Sequence, residues 1–182
     1  MTEYNAPSLD EGTGGDLAPR NDSFPFRSDE SIDGLFAYDG GEGAGASTVA
    51  VDGTAFSLSA SDGTLVTVSP KGTVQSVNKS RIKGIDPAAT LAMTAVGNHP
   101  VAFDTTGNIL YLPNGQAYSL TDYGIAPGAV LQQPGADADS VYLATPTSLV
   151  AVPLKGGEPS VTDTGASGSP AAPVWHMGCA YG

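Results

Sequence analysis

Two histidines, one cysteine and a scatter of carboxylates are the groups in this chain with chemistry to offer, and their spacing limits what they can do. His99 stands in Gly97-Asn98-His99-Pro100 and His176 in Trp175-His176-Met177-Gly178, each without a nucleophile or carboxylate at a recognisable catalytic spacing. A histidine beside a turn then reads as a surface or capping residue. On one continuous strand the side chains of His176 and Cys179 would leave on opposite faces. A metal site would need a further soft or imidazole ligand, and the chain contains no CxxC or HExxH. Cys179 is the only thiol, which excludes an internal disulfide. It reads either as a buried free cysteine on a core strand or as a thiol whose partner lies beyond residue 182.

The carboxylates give no motif. Asp137-Ala138-Asp139 and Asp104-Thr105-Thr106-Gly107-Asn108 have the oxygen density of calcium loops, but neither follows the D-x-[DN]-x-[DN]-G pattern with a distal Glu. Asp and Asn in hairpins more often cap their own backbone. Paired carboxylates for glycoside hydrolysis need only converge in space, and nothing in the sequence marks a pair. Gly41-Glu42-Gly43-Ala44-Gly45 has neither dinucleotide nor P-loop spacing and lacks a lysine. Gly165-Ala166-Ser167-Gly168-Ser169 departs from the nucleophile elbow at its last position. Asn21-Asp22-Ser23 and Asn78-Lys79-Ser80 match a glycosylation tripeptide that arises readily by chance. The sequence therefore assigns no catalytic, cofactor-binding or metal-binding residue, and no cofactor.

The elements that would position these residues are strands. Of 182 residues, 24 are Gly and 14 are Pro, and charged residues make only 14%, too few for the Glu/Lys-rich exposed faces of a helical bundle. Nineteen acids against seven bases give a net charge of -12, which argues against nucleic acid and against an anionic membrane surface. No apolar run approaches the roughly 18 residues needed to span a bilayer. Met1-Thr2-Glu3-Tyr4 lacks the positive start and apolar core of a signal peptide. Residues 1–46 carry ten acids against Arg20 and Arg27, among Gly, Pro and Ser. Such a segment buries too little apolar surface to offset its ordering entropy, and is expected to be largely disordered. Its exception is Leu35-Phe36-Ala37-Tyr38, an apolar patch able to add one strand to a sheet behind it.

Residues 47–182 change character to short β-branched and aromatic runs cut by turn residues. Ser61-Asp62-Gly63 separates Ala55–Ser59 from Thr64–Val68, and the second of these alternates with period two. Pro70-Lys71-Gly72 leads into Thr73–Val77. Asn114-Gly115 joins Ile109–Leu112 to Gln116–Leu120, and suggests a type I′ turn with both residues at positive φ. The nearest approach to helical spacing, Lys79–Ala92, is interrupted by Gly84 and Pro87. Thr48, Leu91, Ala129 and Pro173 each open a strand group and recur about every forty residues, a period that predicts β-propeller blades of four strands. The expected fold is all-β, a propeller fragment with blades over 47–78, 88–121 and 128–164 and an incomplete one over 172–182.

Pro100-Val101-Ala102-Phe103-Asp104-Thr105-Thr106-Gly107-Asn108-Ile109-Leu110-Tyr111-Leu112 resembles the apolar-Asp-x-x-Gly-Asn-apolar run of NHL and quinoprotein-like propeller blades. Val68-Ser69-Pro70-Lys71-Gly72 is similar to the strand-turn step that follows in them. The region from Thr48 onward also resembles the N-terminal propeller of large bacterial envelope proteins carrying fibronectin type III domains, where a blade opens much like Pro173–Tyr181. No Trp-Asp dipeptide supports a WD40 assignment, and Trp175 reads as packing between blades rather than as a quinone platform. The resemblance implies an extracytoplasmic, cell-envelope setting and no catalytic residues.

Propellers close with four to eight blades. Three blades and part of another imply a truncated fragment whose partners include the missing blades of its own chain. Two functions follow as expectations. The first is a non-enzymatic scaffold or binding propeller for an unidentified protein or cell-surface ligand. The second is a propeller hydrolase or lactonase, in which Asp52, Asp104 and the Asp137/Asp139 pair would face one channel and hold a metal.

Overall fold

Short apolar runs broken every few residues by Gly, Asp and Asn cannot sustain a helix, and they fold here as hairpins. The structure, a computed structural model, describes residues 45–71, 74–176 and 178–181. The first sheet is an antiparallel meander of β1 (Ala46–Val49), β2 (Ala55–Leu58), β3 (Thr64–Lys71) and β4 (Val74–Arg81). A second holds β5 (Leu91–Val96), β6 (His99–Asp104), β7 (Ile109–Tyr111) and β8 (Ala117–Ser119). The third is formed by β9 (Val130–Leu131), β10 (Ser140–Ala144), β11 (Ser148–Pro153) and β12 (Ser160–Asp163). A two-stranded hairpin of β13 (Val174–His176) and β14 (Cys179–Tyr181) follows. One 3-10 turn, Leu120–Tyr123, leaves β8 and is ended by Gly124 in the left-handed conformation.

The second sheet is apolar on both faces. Leu91, Met93, Ala95, Ala102, Ile109 and Tyr111 pack toward Ala50, Phe56, Leu58 and Leu65 of the first sheet side. Ala92, Val96, Val101, Phe103 and Leu110 pack toward Val141, Leu143, Val150 and Val152 of the third sheet. Burial on both sides explains why Val101-Ala102-Phe103 is a continuous apolar run where a half-exposed strand would alternate. Full burial of each Val, Leu or Phe side chain is worth about 1.5–3 kcal/mol, so these two faces are the main source of stability.

Backbone bonds stitch the second and third units. Gly97 N–H donates to the Gly135 carbonyl and Gly135 N–H to the Ala95 carbonyl, each at 3.0 Å, making a single parallel bridge between Val96 and Gly135. Gly157 N–H donates to the Tyr118 hydroxyl at 3.0 Å. The Tyr111 hydroxyl donates to the Gly84 carbonyl at 3.0 Å and so ties down the connector from the first sheet. At the C-terminal hairpin, Trp175 stacks on Tyr142 with ring centroids 5.1 Å apart, and Gln133 N–H donates to the Pro173 carbonyl at 2.8 Å.

The chain is all-β, but the expected propeller does not form. The described residues make separate small antiparallel sheets, three of four strands and one of two, none of them closed or curled as propeller blades would be. The forty-residue spacing records how many hairpins fit in a meander. Closure around an axis depends on how sheets wedge against one another, and no local pattern carries that information. Without a ring, the reason for expecting missing blades disappears. The segment up to residue 44, with Leu35–Tyr38 and most of the glycine run, lies outside the described residues.

The turn at Asn114-Gly115 also departs from expectation. Only Gly115 has positive φ (84°), and its N–H donates to the Leu112 carbonyl at 3.0 Å. Pro113, whose ring fixes φ near -65°, occupies the first corner and imposes a type I geometry instead of type I′. Asn114 keeps negative φ, and its Oδ1 accepts the Gln116 N–H at 2.9 Å.

Two buried polar side chains yield stability tests. Thr94 is fully buried on β5, and its Oγ1 has no hydrogen-bond partner among the described residues. Thr94→Val is expected to raise stability by about 1 kcal/mol, read as a higher urea midpoint at constant m-value. Asn108 sits at φ 56°, 1% exposed, and its Nδ2 donates to the Ile125 carbonyl at 2.8 Å and to Thr121 Oγ1 at 3.2 Å. Asn108→Ala should cost about 2–4 kcal/mol, since it strands the Ile125 carbonyl and replaces asparagine, which tolerates the left-handed region, with a residue that does not. Asn108→Gly should recover only the backbone share, about 1–2 kcal/mol.

Candidate functional site

Two kinds of carboxylate stand out among the described residues, and the first is used up in turns. Asp52 Oδ1 accepts the Thr54 N–H at 2.9 Å, and Asp86 Oδ1 accepts the Ala88 N–H at 2.8 Å. Asp62 accepts both the N–H of Thr64, at 2.9 Å, and its hydroxyl, at 2.6 Å. Asp163 Oδ1 accepts the Gly165 N–H at 2.8 Å. Asp104 is 3% exposed, and one oxygen accepts both the Thr106 and Gly107 N–H groups at 2.9 Å. A β-carbon at Gly107 would collide with the other Asp104 oxygen, so the glycine in Asp104-Thr105-Thr106-Gly107-Asn108 is there to admit the carboxylate. These are side-chain-capped turns, in which an acid two residues ahead supplies the acceptor that the strand no longer offers.

Hydrogen bonding to the charged form lowers the pKa of Asp52 and Asp62. The Thr54 backbone bond and then its side chain lower the Asp52 pKa, and the Thr64 hydroxyl followed by its N–H lowers Asp62 to about 2. Tyr111 is pushed up, first by burial and then by the negative charges of Asp104 and Asp86. Tyr142 is also raised, by burial and to a lesser degree by neighbouring Cys179.

The hydrolase expectation fails on this geometry. Asp52 and Asp104 are each bound into their own turn on different sheets, and among the described residues no group of three His, Cys, Asp or Glu side chains is placed to hold a metal ion. His176 and Cys179 are directly opposite in the β13–β14 register. The expectation of opposite faces assumed one strand, whereas Gly178, at φ 80°, lies in the reversal between two. Cys179 is exposed, where a core cysteine was expected. Gly165–Ser169 is an exposed loop after β12 with no helix behind it.

The second kind of carboxylate lines a cleft. Asp137 and Asp139 border a cavity of about 570 Å³ between the second and third sheets, together with His99, Pro113, Asn114, Ala138, Leu154 and Lys155. The start of β6 and three connections supply it: the β7–β8 turn, the β9–β10 loop and the segment after β11. The β9–β10 loop is held by the paired bonds between Gly135 and the end of β5. Asp139 is held through its carbonyl, which accepts the Leu154 N–H at 2.9 Å. Asp137 lies against the left-handed Gly97 (φ 58°), where an added β-carbon would stand 3.0 Å from its carboxylate oxygen and 3.2 Å from its Cα. Lys155 Nζ faces Asp139 Oδ1 at 3.7 Å, with both side chains more than 90% exposed.

Sequence reasoning singled out His99, Asp137 and Asp139 but did not join them, and it passed over Lys155. The available signal was that Lys155 is the only Lys or Arg after Lys83. No protein family, curated protein or solved structure matches the chain. The resemblance to NHL and quinoprotein-like blades is thus supported neither by the fold nor by relatives, and the scaffold, the hydrolase and the envelope setting drawn from it lose that basis.

Asp62 gives the clearest pH test. Its carboxyl should titrate near 2 in the folded chain, followed by carboxyl-carbon NMR, and Thr64→Val should return it toward the free value of 3.8. A lowered folded pKa means that the bond stabilises the fold above the unfolded value and that this contribution is lost as pH falls from about 4 toward about 2.

Proposed function

We propose that this chain recognises a ligand with a positively charged head and an apolar body, held in the cleft between the second and third sheets. The supporting observation is the pairing of two exposed carboxylates, Asp137 and Asp139, on a pinned loop with a floor of Pro113, Ala138 and Leu154. The volume, about 570 Å³, is that of a small-molecule or side-chain site. A net charge of -12 draws cations toward it and repels anions. The exposed Lys155–Asp139 pair is worth only about 0–1 kcal/mol, so an incoming ammonium or guanidinium displaces it at little cost. Asn114 and His99 add hydrogen-bonding groups at the rim.

The probe is 1,6-diaminohexane, with 1,6-hexanediol as the uncharged control, and the readout is amide chemical shift. Shifts should centre on Gly97, His99, Ala138 and Lys155, and Asp137→Asn with Asp139→Asn should weaken binding by roughly tenfold. Equal binding of the diol, or shifts spread over the acidic surface and indifferent to the double variant, would refute the assignment.

A further inference from the structure

Between β8 and the β11–β12 connection lies a second cavity, of about 450 Å³, bordered by two tyrosine rings and two carboxylates. Tyr118 and Tyr123 form two walls set at an angle, with ring centroids 6.2 Å apart and planes inclined by 41°. Both are held in place by their neighbours. Tyr118 is buried on β8, and its hydroxyl accepts the Gly157 N–H at 3.0 Å, which engages the polar end of the side chain with the backbone and leaves the ring to the cavity. Tyr123 ends the 3-10 turn, whose first residue, Leu120, is fully buried. The Leu120 N–H donates to the Asn108 carbonyl at 2.9 Å, and its carbonyl accepts the Ile125 N–H at 3.1 Å. On the facing connection, a β-carbon at Gly156 would collide with the Gln116 amide oxygen, so the two segments meet closely.

Tyr123 is nonetheless 41% exposed, the most open Phe, Tyr or Trp ring among the described residues. Asp122 and Glu158, both exposed, border the same cavity and add negative charge to the negative faces of the rings. We propose that this cavity binds a quaternary ammonium ligand. With centroids 6.2 Å apart, one cation can lie within the roughly 6 Å of both rings at which their quadrupoles attract it. A quaternary ammonium spreads its charge over methyl groups that pack on the rings, and it carries no N–H to leave without an acceptor. A primary ammonium is more strongly hydrated and gives up more water on entering between two rings. Anions are repelled by the two carboxylates and by the net charge of -12. None of these residues lines the cleft at Asp137 and Asp139, so this assignment does not depend on that site.

Titration of the full chain with tetramethylammonium chloride, followed by amide and aromatic-ring NMR shifts, tests this. The controls are methylammonium chloride at the same ionic strength and neopentyl alcohol, an uncharged molecule of similar shape. Shifts should centre on Tyr118, Tyr123 and Gly157, and both controls should bind at least about threefold more weakly. Tyr123→Leu, which keeps apolar bulk and removes the ring face, should weaken binding about three- to tenfold, whereas Tyr123→Phe should stay within about twofold. Equal binding of the three probes, or undiminished binding to the Tyr123→Leu variant, would overturn the proposal. So would shifts confined to Gly97, His99 and Ala138, since the cation would then sit in the cleft instead.

Discussion

The structure depends on one constraint: the second sheet must bury both of its faces, and it has a different neighbour for each. Phe103, Leu110 and Val101 need the third sheet, and Ala95, Ala102 and Tyr111 need the first. Neither neighbour is self-sufficient, because a single four-stranded meander has too little apolar area to offset the entropy of ordering its backbone. The connectors are therefore tied where they pass between sheets, at Tyr111 to Gly84 and at Gly97 to Gly135. The cleft is a by-product of this arrangement. Two sheets pressed together along their apolar centres diverge at the turns, and the turn residues line the gap.

The same logic explains why acids are poor guides to chemistry in this chain. Short strands end often, and each end leaves backbone N–H groups without a ladder partner. Asp is the compact acceptor that serves them, which consumes Asp52, Asp62, Asp86, Asp104 and Asp163. Asp104 goes furthest, accepting two N–H groups while almost wholly buried. Asp137 and Asp139 differ because their loop is fixed by Gly135 and by the Asp139 carbonyl instead of by their carboxylates, and this leaves both side chains at the cleft.

Much of the local structure was legible in the residues. Period-two runs such as Thr64–Val68 and turn signals such as Ser61-Asp62-Gly63 mark strands and hairpins through steric preferences that act within a few residues. Where a second local preference competed, the reading slipped: Pro113 overrode the Asn-Gly signal, and Leu120 left its expected strand for a 3-10 turn. The arrangement of sheets was not legible, because the spacing of meanders is the same whether they close into a ring or stand as separate sheets. The cleft was invisible for a related reason. His99 at the start of β6, and Asn114, Asp137 and Lys155 in three separate connections, come together only through packing between sheets.

The most direct test of the shared-face account is native-state amide exchange on Phe103→Ala, which truncates a second-sheet side chain facing only the third sheet. The loss should be about 3–5 kcal/mol. If the sheets stand or fall together, protection of Leu58 in the first sheet should drop by the same free energy as that of Val150 in the third. A drop confined to the third sheet, with Leu58 unchanged, would show that the second sheet does not couple its neighbours and would contradict the account.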